Sequence, residues 1–283
     1  MSLSRRSRML VVLFVLFVPV LVYASEEAPK GGHSAGHGGT PHIPSVVGML
    51  TGNDGPIYHW INVIYAGVVG IFLSVIAITV YSRRKLIPGP FQNLVEMLVE
   101  GMYNFLHSVL GSDAKRYAPF LGTLFFYILC MNLMGLVPGG HSPSTNINIT
   151  ASLAIMVFLY VQYVGISRNG IVKYLDHLAG SPRDALSWSL VVLLFPIHII
   201  GELAKPFSLA VRLFGNITGE DVLVAAFVGL GLTALSFMHS PVGFPFNVFF
   251  IFLGLLLSTI QALVFSLLST IYILLMLPHE ERH

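Results

Sequence analysis

The stretch from Leu186 to Leu235 reads LSWSLVVLLFPIHIIGELAKPFSLAVRLFGNITGEDVLVAAFVGLGLTAL. It is largely apolar, yet five charged residues fall within twenty positions of it: Glu202, Lys205, Arg212, Glu220 and Asp221. A charge near the centre of a bilayer costs about 2.5 kcal/mol or more, so such residues usually line a polar path or face a charged partner. The stretch is too long for one perpendicular membrane span. We expect it either to tilt strongly or to break near Pro206.

Four polar residues of this stretch recur every four positions: Ser208, Arg212, Asn216 and Glu220. We call them the polar stripe, because residues four apart lie on one face of an α-helix. Arg212 and Glu220 would be about 12 Å apart along the axis, at a rise of ~1.5 Å per residue, which is too far for a salt bridge. We therefore expect the anionic partner of Arg212 on another chain. The alternative is that Arg212 snorkels to the membrane interface.

The composition of the whole chain also indicates a membrane protein. Hydrophobic residues make up 55% of it and charged residues only 10%, whereas soluble domains carry about 25% charged residues. The net charge of +2 is too small to indicate nucleic-acid binding. The single cysteine, Cys130, has no partner in this sequence for a disulfide or a cysteine-based metal cluster.

Hydropathy predicts an all-α membrane protein with about five membrane helical segments. The segments are residues 60–80, 119–136, 149–166, 186–235 and 247–277, with polar connections at 137–148 and 167–185. Residues 90–110 carry apolar side chains at helical spacing beside Glu96 and Glu100, which predicts an amphipathic helix lying in the interface. We expect the last two segments to form a long tilted helical hairpin, in which Gln261 could face the polar stripe.

The N-terminal part divides into two regions. Residues 1–24 are typical of a signal peptide, with arginines at 5, 6 and 8, an apolar stretch and a small-residue cleavage site at Val22-Tyr23-Ala24. The alternative is an uncleaved first helix. Residues 25–59 are polar and rich in Gly, Pro and His, which indicates an extracytoplasmic segment. Residues 60–283 then form the membrane domain.

The distribution of basic residues predicts the orientation. Loops placed inside hold nine Lys and Arg residues, whereas loops placed outside hold only Lys30. This positive-inside bias places the N-terminus outside and the C-terminus inside. Together with the signal peptide, it indicates a bacterial inner membrane.

Several runs of the sequence resemble the a subunit of F-type ATP synthases. The run KPFSLAVRLFGNI at 205–217 is similar to the signature helix of that family, and IQALVF at 260–265 is similar to its last helix. Two middle runs, MNLMGLVP at 131–138 and PSTNINIT at 143–150, resemble its middle segments. The resemblance covers roughly residues 55–280 in order.

The resemblance implies a function without catalysis of its own. This chain would be the stator half of a proton channel, with two offset aqueous half-channels beside a turning ring of c subunits. Arg212 matches the essential arginine, which attracts the ring carboxylate, favours its charged form and blocks a direct proton leak. The other implied proton-translocation residues are Glu220 and Asp221 as outer relays, Asn216 and Gln261 near the arginine, and Glu202 and Ser208 in the inner half-channel.

The implied partners are the c-subunit ring, the peripheral-stalk b subunits, the rest of the ATP synthase and membrane lipid. No cofactor, metal or nucleic acid is implied, and the coupling ion (proton or sodium) stays open.

Three positions depart from the family pattern. Asn146 stands where many members have aspartate, so we exclude it from the relay. Gly254 stands where some relatives have a titratable residue, and which acid of the Glu220-Asp221 pair matters is open.

Two other functions fit parts of the sequence. An independent proton-coupled transporter would also place Arg and Glu in the membrane. The C-terminal residues 279–283 spell HEERH, which formally matches the H-E-x-x-H zinc motif of metalloproteases. No further protein scaffold or obvious third ligand accompanies that motif.

Overall fold

The computed structural model describes residues 61–82, 89–137, 140, 142–178, 185–236 and 246–277. Within these residues the regular structure is helical, as the sequence predicts for an all-α membrane protein. The helices are α1 Ile61–Ser82, α2 Pro90–Leu110, α3 Ala114–Leu136, α4 Ile147–Leu178, α5 Ala185–Ser236 and α6 Phe246–Met276. Short 3₁₀ turns at Gly111–Asp113 and Pro143–Thr145 precede α3 and α4.

Four stretches of the described chain are long and apolar enough to cross a membrane: Asn62–Ser82, Pro90–Leu136, Ile147–Ile171 and Ile251–Met276. The fifth predicted segment is α5, which is continuous through both Pro196 and Pro206. Of the two alternatives for this stretch, the break near Pro206 is therefore wrong, and the strong tilt stays a prediction. With 52 residues, α5 is about 78 Å long at a rise of 1.5 Å per residue.

The two final helices form the predicted antiparallel hairpin. Along their contact, Lys205 of α5 faces Tyr272 of α6, and Asn216 bonds Gln261. Because numbers rise along α5 while they fall along α6, the helices run in opposite directions. A core of apolar side chains from all the helices packs behind this hairpin.

Two helix boundaries differ from the sequence prediction by more than two residues. Helix α3 begins at Ala114 rather than at Pro119, which lies inside the helix. Helix α4 continues to Leu178, so the first part of the predicted polar loop at 167–185 is helical. Polar composition alone did not distinguish a loop from the exposed end of a helix.

Helix α2 has the predicted bounds, and its two halves differ in burial. Met102, Leu106 and Leu110 are buried in the core, whereas Phe91 and Met97 near its N-terminus are more than half exposed. This helix is therefore anchored at one end. Its location in the interface stays a prediction.

A kink at Gly170 turns the end of α4. Gly170 has φ 77° and ψ 159°, a conformation that side-chain-bearing residues rarely adopt. On either side of the kink, the Tyr174 hydroxyl donates to Gln162 Oε1 at 2.5 Å, and the Asn169 amide donates to the Met276 carbonyl at 2.8 Å. The kink thus holds the end of α4 against its own preceding turns and against the end of α6.

Replacing Gly170 by alanine is expected to destabilise the protein by about 1–3 kcal/mol, because the methyl group strains this backbone conformation. The measurement is the temperature at which the detergent-solubilised protein loses its helical structure. Gly101→Ala is the matched control, because a Cβ at helical Gly101 meets nothing within 4 Å and alanine is the better helix former. An equal thermal stability of the two variants would contradict strain at Gly170.

Some predictions fall outside the described residues. These are the signal peptide at 1–24, the polar segment at 25–59, the basic residues 83–85 and the HEERH motif at 279–283. They stay predictions.

Candidate functional site

The polar stripe of α5 runs from the exterior of the described protein to its interior. Ser208 and Arg212 are exposed, Asn216 is half-buried and Glu220 is buried. The stripe makes this passage because residues four apart drift slowly around the helix. Arg212 and Glu220 therefore lie on one continuous polar track but in different environments.

The Arg212 side chain is exposed. No carboxylate among the described residues forms an ion pair with it. Beside it on α5, the apolar side chains of Phe207 and Val211 are also exposed, by 71% and 39%. The exposed face of α5 is thus an apolar surface with one guanidinium in it, which suits a partner that is apolar and anionic.

Asn216 connects the stripe to helix α6. Its side-chain amide donates to Gln261 Oε1 at 2.6 Å, as the hairpin hypothesis expected for a residue facing the stripe. Gln261 is buried, and its own Nε2 has no hydrogen-bond partner within the described residues. A buried amide nitrogen without a partner is costly, so it offers a donor to a buried water molecule.

Glu220 lies in a small pocket between α5 and α6. The Ser258 hydroxyl donates to its Oε2 at 3.4 Å. The carboxylate occupies the space beside Gly254, because a Cβ atom on Gly254 would collide with Oε1. The glycine at this position is therefore what makes room for the acid from the neighbouring helix.

Asp221 faces a different neighbour. A Cβ atom on Gly135 of α3 would lie 3.7 Å from its Oδ1, an ordinary contact. The two adjacent acids thus diverge: Glu220 faces α6 and Asp221 approaches α3. Adjacent helical positions are about 100° apart around the axis, which explains the divergence.

A chain of buried polar groups continues from Glu220 towards the 3₁₀ turn at Pro143–Thr145. The Asn132 amide donates to the Ser258 carbonyl at 3.5 Å, and the Ser144 hydroxyl donates to Asn132 Oδ1 at 2.8 Å. All three side chains are buried. The sequence did not indicate that Asn132, Ser144 and Ser258 belong to the site. A signal existed for Ser258, because Ser258 and Gly254 precede Gln261 by three and seven positions and so share one helical face with it.

Asn146 has a structural role at the start of α4. Its Oδ1 accepts a hydrogen bond from the Asn148 backbone N–H at 2.9 Å. Caps of this kind satisfy the free N–H groups at a helix start.

A cleft of about 280 Å³ opens beside the stripe, lined by residues that include Asn216, Glu220 and Gly254. It could hold several water molecules, since one water occupies about 30 Å³ of liquid. Small residues, Gly215 and Gly219, form part of its wall. Water in this cleft would lie next to the Glu220 carboxylate.

Glu202 lies on the opposite side of Arg212 along α5, in an ion pair that the sequence did not reveal. It binds Lys205 three positions later, and the Lys205 ammonium lies 5.4 Å from the centre of the Tyr272 ring. We call Glu202, Lys205 and Tyr272 the inner cluster. No group of three potential metal ligands occurs in the described part of the chain.

The sequence matches known proteins of one family. The model of the family described as ATP synthase A chain matches residues 61–274. ATP synthase subunit a of Protochlamydia amoebophila is 47% identical over 79% of this chain and 83% of its own length. The Oleidesulfovibrio alaskensis protein of the same name is 36% identical, with coverages of 85% and 98%. ATP synthase subunit a 2 of Prosthecochloris aestuarii is 32% identical, with coverages of 96% and 92%. The match to the family model includes the residues of the site described above, and by these matches this chain belongs to the ATP synthase A chain family.

Proposed function

We propose that this chain is the non-catalytic, proton-translocating stator subunit of a bacterial F-type ATP synthase. It forms two offset half-channels that carry protons to and from the carboxyl groups of a c-subunit ring. The protein works in the inner membrane with its N-terminus outside and its C-terminus inside. Its other partners are the peripheral-stalk b subunits and the remainder of the synthase.

The observation that carries this proposal is the exposure of Arg212. A guanidinium on an apolar outer face, without a carboxylate partner among the described residues, needs an anion from outside the chain. A ring carboxylate moving past α5 supplies that anion. The positive charge favours the ionised carboxylate, and hence release of its proton.

The outer half-channel is supported by the polar groups on the Glu220 side of the stripe. Protons from outside enter by the Asn132, Ser144 and Ser258 side chains and the cleft beside Glu220. Glu220 and Asp221 relay them towards Asn216 and its partner Gln261. Along α5, Asn216 lies about one helical turn from Arg212, whereas Glu220 lies about two turns away. Carboxylates exchange protons, whereas the amides and hydroxyls orient water between them.

The inner half-channel is supported by groups on the other side of Arg212. Ser208 is exposed one helical turn from Arg212, and Glu202 is part of the inner cluster. Arg212 thus lies on α5 between these two polar regions. A fixed positive charge between them repels a proton that would pass directly from one region to the other.

The test is proton conduction by membranes from which the catalytic F1 sector has been removed. We expect vesicles that contain the c ring and this chain to conduct protons when a potassium diffusion potential is imposed. Vesicles with the ring but without the chain should not conduct. Equal conduction in both would overturn the proposal, and conduction by the purified chain without a ring would favour an independent transporter.

A further inference from the structure

The inner cluster is built from two helices of the hairpin. Lys205 and Glu202 lie one turn apart on α5, with side chains only 23% and 16% exposed. Tyr272, on α6, presents the face of its ring to the Lys205 ammonium at 5.4 Å. A separation below about 6 Å is the range of a cation–π contact.

The Glu202 carboxylate is held by one of its two oxygens. Oε1 accepts from Lys205, whereas Oε2 is buried and has no hydrogen-bond partner within the described residues. A buried carboxylate oxygen without a partner loses its hydration and gains nothing in return. Such an oxygen is available to a proton or to a water molecule.

The space next to this carboxylate is narrow. Glu202, Lys205 and Tyr272 border a cavity of about 10 Å³, whose other walls are apolar side chains of α4 and α5. One water molecule needs about 10–15 Å³ of such space. The Lys205 ammonium therefore contacts both Glu202 and Tyr272 in a place where little water can replace a lost contact.

We propose that Tyr272 is a positioning residue for proton exit, whose ring holds the Lys205 ammonium so that Lys205 fixes Glu202 with Oε2 free to take a proton. This inference rests on the function proposed above and deepens it. Glu202 Oε2 accepts a proton that a ring carboxylic acid has released, and the neutral Glu202 forms. Water on the inner side of the membrane then takes that proton, and the Glu202 carboxylate is restored.

Other charged or titratable groups face Glu202 from the packed helices. Tyr174 near the end of α4 interacts with it electrostatically, and so does Tyr272 of α6, which Arg212 also influences. Tyr174 is already bonded to Gln162. Lys205 is thus the cation in direct contact with Glu202, and its position decides the orientation of the carboxylate.

Two substitutions of Tyr272 distinguish the effect of its aromatic ring on pumping from the effect of its size. Tyr272→Phe keeps the aromatic face, and we expect it to retain most of the ATP-driven proton pumping of inverted vesicles. Tyr272→Leu removes that face but stays apolar, and we expect a loss of about fivefold, the scale of one partly buried cation–π contact. Rates are divided by the amount of assembled complex. Leu275→Ala, at a 51% exposed position on the same helix, is the control for a nearby substitution.

A double-mutant cycle tests whether Tyr272 acts through Lys205. Tyr272→Leu should cause no further loss in a Lys205→Gln chain, because the cation that it holds is already gone. Lys205→Arg, which keeps the charge, should pump faster than Lys205→Gln. Equal rates for these two Lys205 variants would overturn the inference without any substitution of Tyr272, because the cation that the ring holds would then be dispensable.

The outcomes are distinct from those of the proposed function. Equal rates for Tyr272→Phe and Tyr272→Leu, or full additivity with Lys205→Gln, would overturn the inference while native vesicles still pump. A failure of the native chain to support proton conduction would instead overturn the proposed function.

Discussion

Replacement of Arg212 by alanine is expected to reduce ATP-driven proton pumping in inverted membrane vesicles by roughly 100-fold or more, the scale on which enzymes lose rate when one preorganised electrostatic group is removed. The side chain is exposed on α5 and has no carboxylate partner among the described residues. Its removal therefore breaks no ion pair there. The loss would arise at the contact with the ring, where no cation then attracts the carboxylate.

The assembled complex should persist in this variant, because Arg212 contributes no buried contact to the bundle. Val211→Ala is a suitable control, since Val211 is also exposed, by 39%, but lies off the polar stripe. We expect the control to pump at close to the native rate. Normal pumping by Arg212→Ala would disprove the arginine mechanism and most of the argument for function.

Glu220→Gln is expected to lower the pumping rate by about 10- to 100-fold, within the range for loss of a positioned proton-transfer group. Glutamine has nearly the shape of glutamate and can still accept the hydrogen bond from Ser258. It cannot bind and release a proton at neutral pH. The substitution therefore isolates proton exchange from packing.

The matched variant is Asp221→Asn at the next position. We expect a smaller loss, because Glu220 borders the cleft beside Asn216, whereas Asp221 approaches Gly135 of α3. Both rates are measured in inverted vesicles and divided by the amount of assembled complex. A larger loss in Asp221→Asn would assign the main relay to Asp221 instead.

Gly254 of α6 leaves room for the carboxylate of Glu220, which comes from α5. Its missing side chain leaves the space that the Glu220 carboxylate fills. A titratable residue on α6 at this place could not coexist with the observed position of Glu220. This steric exclusion gives a physical reason for a glycine at this position, which the sequence alone did not provide.

The sequence by itself determined the class of protein and which residues of the candidate site share one helical face. A low charge content and long apolar runs require lipid as a solvent. The spacing of Ser208, Arg212, Asn216 and Glu220 fixes their common face because the α-helix is regular. These are local properties of one chain segment, so they can be read without knowing the fold. The same holds for the amphipathic pattern of α2.

Tertiary structure decided what lies opposite each of these residues. The pairing of Asn216 with Gln261, of Glu220 with Ser258 and of Lys205 with Tyr272 depends on the register of α5 against α6. The space at Gly254 depends on the same register, which is set by the packing of many side chains far apart in sequence. The continuity of α5 through Pro206 is also a tertiary outcome, because packing can compensate for the hydrogen bond that proline removes. Local spacing places a residue on a face, but only the packed helices decide which partner that face meets.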